Sequence, residues 1–299
     1  LLFRTLGGLI DSLKIIREEK PDLIFSTGGY VTVPMCIAGW LNKVPVYIHE
    51  QTTTAGLANK ISSKFAKKIF LTFPESKEYF PKKKAVHTGN LIKKDLFKEK
   101  KSGEIIKVVE KMKKEQKELS IIYISGGSQG SHILNTTVRE MLTYLVQYYQ
   151  VILQTGDNKV FNDFDNINKD KQKLSKKVQY RFYPTKYIDA SEIGHIYKNM
   201  DLFVGRSGAN TVYEIGLLKK RAILISIPWT RKNEQEKNAQ LLEKLNLAKI
   251  LPEGELTPDK LFIEINRIFK EKREIEKKKI EKIFTKNAGE KILEEMDII

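Results

Sequence analysis

Short apolar runs alternate with longer stretches of helical apolar spacing along most of the chain. A short run bounded by turn residues reads as a buried strand, and apolar positions three and four apart read as a helix. Strands are predicted at 21–26, 44–48, 69–72, 120–125, 149–153, 178–182, 202–206 and 222–227, the last ended by Pro228-Trp229, with Tyr187-Ile188 as a possible closing piece. Helices are predicted at 1–19, 33–41, 57–65, 133–148 and 191–199, from Ser207 through Leu218, and around Glu234, Gln235, Asn238 and Ala239. The tail from Thr257 is helical. Within it 271–282 is nearly all charged and reads as a solvated helix, whereas Ile292, Leu293 and Met296 resume a one-sided pattern that predicts docking. Leu1, Leu2, Phe3, Leu6, Leu9 and Ile10 give the first helix an apolar start, either a core face or a surface that dips into a membrane.

Several strand-to-helix turns carry candidate chemistry. After the run Leu202–Arg206 comes Ser207-Gly208-Ala209-Asn210-Thr211-Val212-Tyr213-Glu214. Ser207 is a good N-cap type, and Gly208 permits close approach to the backbone. The N–H groups of Ala209, Asn210 and Thr211 then favour an anion. Glu214, about one to two turns further in, can accept hydrogen bonds from a ribose diol. Phosphate at the helix tip and ribose on the acid describe a nucleotide; the plainer alternative is a capped helix with a solvated Glu. Gly28-Gly29-Tyr30 and Gly126-Gly127-Ser128-Gln129-Gly130 are further glycine-rich turns. The second has neither a P-loop ending nor the dinucleotide spacing. His49-Glu50-Gln51 closes a strand where open α/β sheets bind ligands, although His49 serves equally as a loop anchor. Gln235 and Asn238 share a helix face, and their amides suit sugar hydroxyls and an acetamido group. Asp163-Phe164-Asp165 has a metal-binding spacing but sits in a polar stretch without a strand before it, and reads as a surface loop.

Composition narrows the class. With 299 residues, 41% hydrophobic and 30% charged, the chain is globular and long enough for two domains. The boundaries read as 1–94, 95–275 and a terminal helix at 276–299 that docks back on the first domain. One cysteine, Cys36, excludes a disulfide framework and a cysteine-based metal site. The net charge of +16 suits phosphorylated substrates or an anionic membrane surface. Its lysines form no basic helix or aromatic–basic strip, so nucleic acid is not an expected partner. The chain opens with Leu1 inside an amphipathic helix, and an N-terminal strand–helix region is expected to be missing.

In order, Gly28-Gly29-Tyr30 with Pro34, His49-Glu50-Gln51 with Gly56 and Asn59, Gly89-Asn90, Gly126 to Gly130, Gln154-Thr155-Gly156, Arg206-Ser207-Gly208 through Glu214, and Gln235 with Asn238-Ala239 resemble the MurG family. These are the bacterial N-acetylglucosaminyltransferases of peptidoglycan synthesis. The resemblance implies an α/β GT-B fold: two Rossmann-like domains facing a cleft, the N-terminal one incomplete here. It implies inverting transfer of N-acetylglucosamine from UDP-N-acetylglucosamine to a polyprenyl-diphosphate-linked muramyl-peptide, with no cofactor or metal, by a peripheral protein at the cytoplasmic face of the membrane. Donor-binding positions would be Thr52, Lys93, Ser128, Gln129, Ile188 through its backbone, the segment Arg206, Ser207, Gly208, Ala209, Asn210, Thr211, Val212, Tyr213 and Glu214, then Gln235 with Asn238 in support. Gly28, Gly29, Tyr30, His49 and Gln51 would meet the acceptor, with His49 and Glu50 as acceptor-side candidates for chemistry. Trp40 falls in the family's membrane-facing region. The family's favoured base would precede Leu1. Departures are Thr52 for the usual Asn, Lys93 for an Arg whose bidentate fork it lacks, and Glu234 for Gln or His. Alternatives are a related GT-B enzyme using another UDP-sugar or polyprenyl acceptor, and a catalytically silent nucleotide-sugar-binding subunit.

Overall fold

The computed structural model describes residues 2–98, 100, 102–227, 233–272 and 274–299, with the backbone alone for 2–6. Leu1, the side chains of Leu2, Phe3 and Leu6, and the loop through Pro228, Trp229 and 230–232 lie outside the described residues. The chain divides into two units, Leu1–Leu91 with Glu281–Ile299, and Ile92–Ile280.

In the first unit α1 (Leu2–Glu19), β1 (Ile24–Ser26), α2 (Thr32–Leu41), β2 (Val46–Glu50), α3 (Leu57–Ser62), β3 (Lys68–Leu71) and β4 (Ala85–His87) follow one another. The second unit holds α4 (Glu104–Glu115), β5 (Ile121–Ser125), α5 (His132–Tyr148), β6 (Gln150–Gln154), α6 (Asp163–Lys173), α7 (Lys176–Gln179), β7 (Phe182–Thr185), α8 (Ile193–Asn199), β8 (Leu202–Arg206), α9 (Ala209–Leu217), β9 (Arg221–Ser226), α10 (Glu234–Lys244), β10 (Ala248–Pro252) and α11 (Pro258–Lys270). Next comes α12 (Lys277–Ile283), and α13 (Ala288–Glu295) lies in the first unit.

Both sheets are parallel. Their orders among the described residues are β1-β2-β3-β4 and β10-β9-β8-β5-β6-β7. A parallel sheet must be covered on both faces, which is why its strands are apolar throughout rather than alternating. In the first sheet, Ile48, Ile69 and Leu71 pack with Cys36, Ala55, Ala66 and Phe80. Tyr47 and Phe70 pack instead with Ile292 and Met296, so α13 and its cap cover the second face. Lys68 Nζ ties the same helix down, donating to Glu295 Oε2 at 2.7 Å. The second sheet carries the larger core, in which Ile122, Ile124, Val204, Ile223 and Ile225 meet Leu134, Val138 and Met141 of α5 and Leu261, Ile265 and Ile268 of α11.

Some elements differ from expectation. Residues 176–179 form α7, and the strand lies at Phe182–Thr185. It is an edge strand, so Pro184 within it forfeits no ladder bond. The charged linker after Lys94 contains α4, whose Ile105, Ile106, Val109 and Met112 are buried at helical spacing beneath a lysine-rich face. β10 is a strand that the sequence pattern did not mark. The highly charged 271–282 stretch is not one solvated helix: α12 starts at Lys277 and buries Ile280. Asp163 and Asp165 open α6 rather than a surface loop, with Asp163 buried.

Ile292→Ala is expected to destabilise the first unit by about 2–4 kcal/mol through lost burial and the cavity left over Tyr47 and Phe70. The measurement is chemical denaturation; an unchanged midpoint would mean that α13 does not hold this sheet.

Candidate functional site

The order β7-β6-β5-β8-β9-β10 is that of a doubly wound sheet, and its topological switch point lies between β5 and β8. Chain direction reverses there across the sheet, and the turns after the two strands leave on opposite faces. Ligands bind such sheets at this point, beyond the strands' carboxyl ends. Ser125 and Gly205 pair at those ends. The two turns that follow are Gly126–Gly130 and Ser207-Gly208, two of the motifs singled out from sequence.

Backbone crowding shapes the first turn. A Cβ on Gly130, whose φ is +75°, would stand 2.0 Å from the Thr155 carbonyl oxygen. A Cβ on Gly156 would in turn stand 2.6 Å from the Gly130 nitrogen. Ser125 Oγ accepts the Gly127 N–H at 3.1 Å, and Ser128 and Gln129 are left exposed at the tip. The second turn departs from expectation: Gly208, not Ser207, is the N-cap of α9, with φ −62° and ψ 150°. The first intrahelical bond runs from the Val212 N–H to the Gly208 carbonyl at 3.0 Å. The amides of Ala209, Asn210 and Thr211 precede that bond and lack helical acceptors by geometry. Ser207 is 0% exposed, and its hydroxyl has no hydrogen-bond partner.

Side chains tie these turns together. Arg206 donates to Ser131 Oγ at 2.6 Å, at the N-cap of α5, and pairs with buried Glu253. Asn238 of α10 is fully buried and donates to the Ser207 carbonyl at 3.4 Å. Gln235, one turn earlier, has a buried Oε1 without a partner. Ile188 stands apart, two strands over beyond β7, half-buried. Val212 and Tyr213 are core residues of α9. Glu214 is half-buried and accepts the Tyr197 hydroxyl at 2.9 Å. Burial pushes its carboxyl above the ordinary value, while the Tyr197 bond and the charge of Lys93 draw it back down. Tyr197 was not visible as a site residue from sequence. It sits in an unremarkable helix, and only the fold brings it to an acid 17 residues away.

In the first unit, Gly28 and Gly29 have φ of +104° and +97°, a region open to glycine, and a Cβ on Gly28 would meet the Asn59 amide at 3.2 Å. Tyr30 is 86% exposed. Glu50 is turned inward. Its carboxylate accepts the Thr52 N–H at 3.2 Å and hydroxyl at 3.1 Å, the Gly56 N–H at 3.1 Å and the Asn59 amide at 3.0 Å. It is the brace of its own loop. His49 is also buried, with Nε2 3.0 Å from the Gly89 carbonyl and 3.3 Å from the Thr72 hydroxyl. Burial holds this imidazole below its ordinary pKa, only partly opposed by the Gly89 bond. Thr52 and Gln51 lie half-buried beside it in this unit, whereas Lys93 is exposed in the other.

A doubly wound sheet with anion-receptive turns and a carboxylate at its switch point is the form of a nucleotide-binding α/β protein. Residues 121–295 match the glycosyltransferase family 28 C-terminal domain and residues 1–71 the N-terminal domain. The chain is 34% identical over 272 residues to a UDP-N-acetylglucosamine–N-acetylmuramyl-(pentapeptide) pyrophosphoryl-undecaprenol N-acetylglucosamine transferase of Clostridium novyi, covering 91% of this chain and 71% of the relative. It is 36% identical over 291 residues to the Staphylococcus aureus transferase of the same name, covering 96% and 76%. Among solved structures, Acinetobacter baumannii MurG superposes with a TM-score of 0.71 at 22% identity, over 100% of this chain and 81% of that one. A Neisseria meningitidis UDP-GlcNAc 2-epimerase bound to UDP-GlcNAc gives 0.60 at 15% identity, over 98% and 80%. The chain belongs to glycosyltransferase family 28 and, within it, to the MurG transferases. It is a glycosyltransferase with the two-domain GT-B fold.

Because His49 is buried neutral, its contribution to stability is full above about pH 6.5, the ordinary imidazole value, and is lost as pH falls through the depressed native value. His87, held low by the same cause, adds to this. Denaturation midpoints are expected to drop between about pH 7 and pH 5, with a shallower slope in His49→Gln. An equal slope in the variant would show that His49 is not the titrating group.

Proposed function

We propose that this protein transfers N-acetylglucosamine from UDP-N-acetylglucosamine, with inversion, to the lipid-linked N-acetylmuramyl-pentapeptide intermediate of peptidoglycan synthesis. The observation that carries the donor half is the pairing of β5 with β8, which sets the Gly126–Gly130 turn beside the start of α9. Glycosyl transfer leaves negative charge on the departing UDP. Peptide N–H groups at a helix start and in a glycine-rich turn stabilise such charge without reorganising. In this reading Ala209, Asn210 and Thr211 receive the diphosphate, with Ser128 and Gln129 flanking it and Lys93 supplying a nearby cation. Glu214 accepts the ribose diol. The backbone N–H and C=O of Ile188, which lack protein partners among the described residues, meet the uracil edge. Gln235 holds the sugar, with Asn238 fixing the Ser207 carbonyl beneath it. Arg206 organises both turns through Ser131 and Glu253 instead of touching the donor.

The first unit, in the same reading, receives the acceptor's diphosphate at Gly28-Gly29-Tyr30 and beside Gln51. Glu50 shapes this surface and does not carry the chemistry, since both its oxygens are committed to its own loop, while His49 is held through Nε2 by the Gly89 carbonyl and keeps a buried, unpartnered Nδ1. Association with the cytoplasmic membrane face rests on exposed apolar side chains here. Trp40 (56% exposed) and Leu41 end α2, and Leu57 and Ile61 lie on α3, which packs beside it. Lysines such as Lys43, Lys60 and Lys64 neighbour them in sequence. No described helix is long and apolar enough to cross a membrane, and the contact proposed is a peripheral one.

Calorimetric titration is expected to show UDP and UDP-N-acetylglucosamine binding, weakened on the order of tenfold or more in Glu214→Ala. Other UDP-sugars should compete less well. Absence of binding, or wild-type affinity in the variant, would sink the donor assignment. Vesicles with anionic lipid are expected to sediment the protein and shift Trp40 emission to the blue, and Trp40→Ser should lower the bound fraction several-fold. Equal sedimentation of the variant would remove Trp40 from the membrane face.

A further inference from the structure

We propose that Tyr197 is a positioning residue for donor recognition, holding the Glu214 carboxylate in the one orientation that presents it to a ribose diol. This rests on the assignment of Glu214 to the ribose. The Tyr197 hydroxyl donates to Glu214 Oε2 at 2.9 Å. Each carboxylate oxygen has two lone pairs, so Oε1 and the outer lone pair of Oε2 remain to accept two hydroxyl donors. An unheld Glu at this point of a helix samples several rotamers, and a two-point acceptor works only in one.

Tyr197 is itself immobilised. It is 3% exposed on α8, and its ring meets the edge of Tyr123 with centroids 6.2 Å apart. Tyr123 is in turn fixed by its own hydroxyl, which donates to Gln154 Oε1 at 2.7 Å. Gln154 leads into Thr155-Gly156, the backbone against which Gly130 is pressed. A line of contacts, two hydrogen bonds joined by one ring edge, thus runs from Gln154, beside the glycine-rich turn, to the ribose acid. α8, which carries Tyr197, is closely seated. A Cβ on Gly194 would stand 2.7 Å from the carbonyl oxygens of Asp95 and Leu96, so the helix lies directly on the backbone of the turn that follows Lys93. The groups facing Glu214 are therefore Tyr197, Tyr123 and Lys93. Both tyrosine hydroxyls are raised by burial and stay protonated donors, and Lys93 contributes charge alone.

The test compares UDP with 2′,3′-dideoxy-UDP, which carries the same diphosphate and base but offers nothing to Glu214. Wild type is expected to prefer UDP by tenfold or more. Tyr197→Phe keeps the ring on Tyr123 and is expected to bind UDP on the order of tenfold more weakly, with dideoxy-UDP affinity unchanged. The UDP/dideoxy-UDP ratio cancels phosphate titration. In wild type it falls as pH drops through the Glu214 pKa. In Tyr197→Phe the fall should begin at higher pH, because the bond that draws the carboxyl down is gone. Equal weakening of both ligands, or an unmoved pH profile, would overturn the positioning role while leaving Glu214 as the ribose acid. A wild type that does not distinguish the two ligands would overturn both.

Discussion

The parallel pairing of β5 with β8 is the constraint on which the second unit's site depends. Gly205 lies against Ser125 so closely that a Cβ there would stand 2.1 Å from the Ser125 carbonyl oxygen. Two strands brought this near at their carboxyl ends place their following turns side by side. Each turn then opens a helix whose first amides have no helical acceptor. The partial positive charge of two helix starts is concentrated at one sheet edge, and Arg206 holds them in register by reaching from the end of β8 to the N-cap of α5. Its guanidinium is balanced by buried Glu253, so the arrangement does not bury an uncompensated charge.

Both units leave some buried polar atoms without partners, and they differ in how their candidate carboxylates are used. In the first, Glu50 is satisfied by the loop that follows it, and His49 is pinned to Gly89 and Thr72. Such residues make a rigid surface and present backbone and glycines to a ligand. In the second, the hydroxyl of Ser207 and the carbonyl of the Gln235 amide are buried without partners, and Glu214 spends only part of its capacity on Tyr197. Buried polar atoms are nearly always paired in a native interior. Among the described residues such exceptions occur in both units, and two of them, Ser207 Oγ before α9 and Gln235 Oε1 at the start of α10, belong to the turns that the proposed reading gives to the donor.

The family and fold class were legible in the chain because their marks are local. Glycines in strand-to-helix turns, Gln235 and Asn238 one turn apart, and the segment ending at Glu214 each lie within a few residues. Strand and helix periodicity likewise needs only a short window. Readings failed where a local cue competed with a distant one. Lysines masked the apolar stripe of α4; Val178 took its core place from a helical turn; Ser207 looked like a cap but is buried beneath Asn238. Asp163 suggested a loop in sequence, yet in the fold it receives His132 and Asn135 from α5.

By itself, then, the sequence determined the alternation of strand and helix, the places where backbone must pass close to something, and the kinship with a transferase family. Those properties are written in residue type and short spacing. Tertiary structure alone decided which polar groups are spent and which remain available. Whether Glu50 is a catalyst or a brace depends on Asn59 and Gly56 folding back onto it. Whether Glu214 has a fixed orientation depends on Tyr197 arriving from another helix. A hydrogen bond is set by position to a fraction of an ångström, and no pattern along the chain encodes position at that scale until the sheet has brought its strands together.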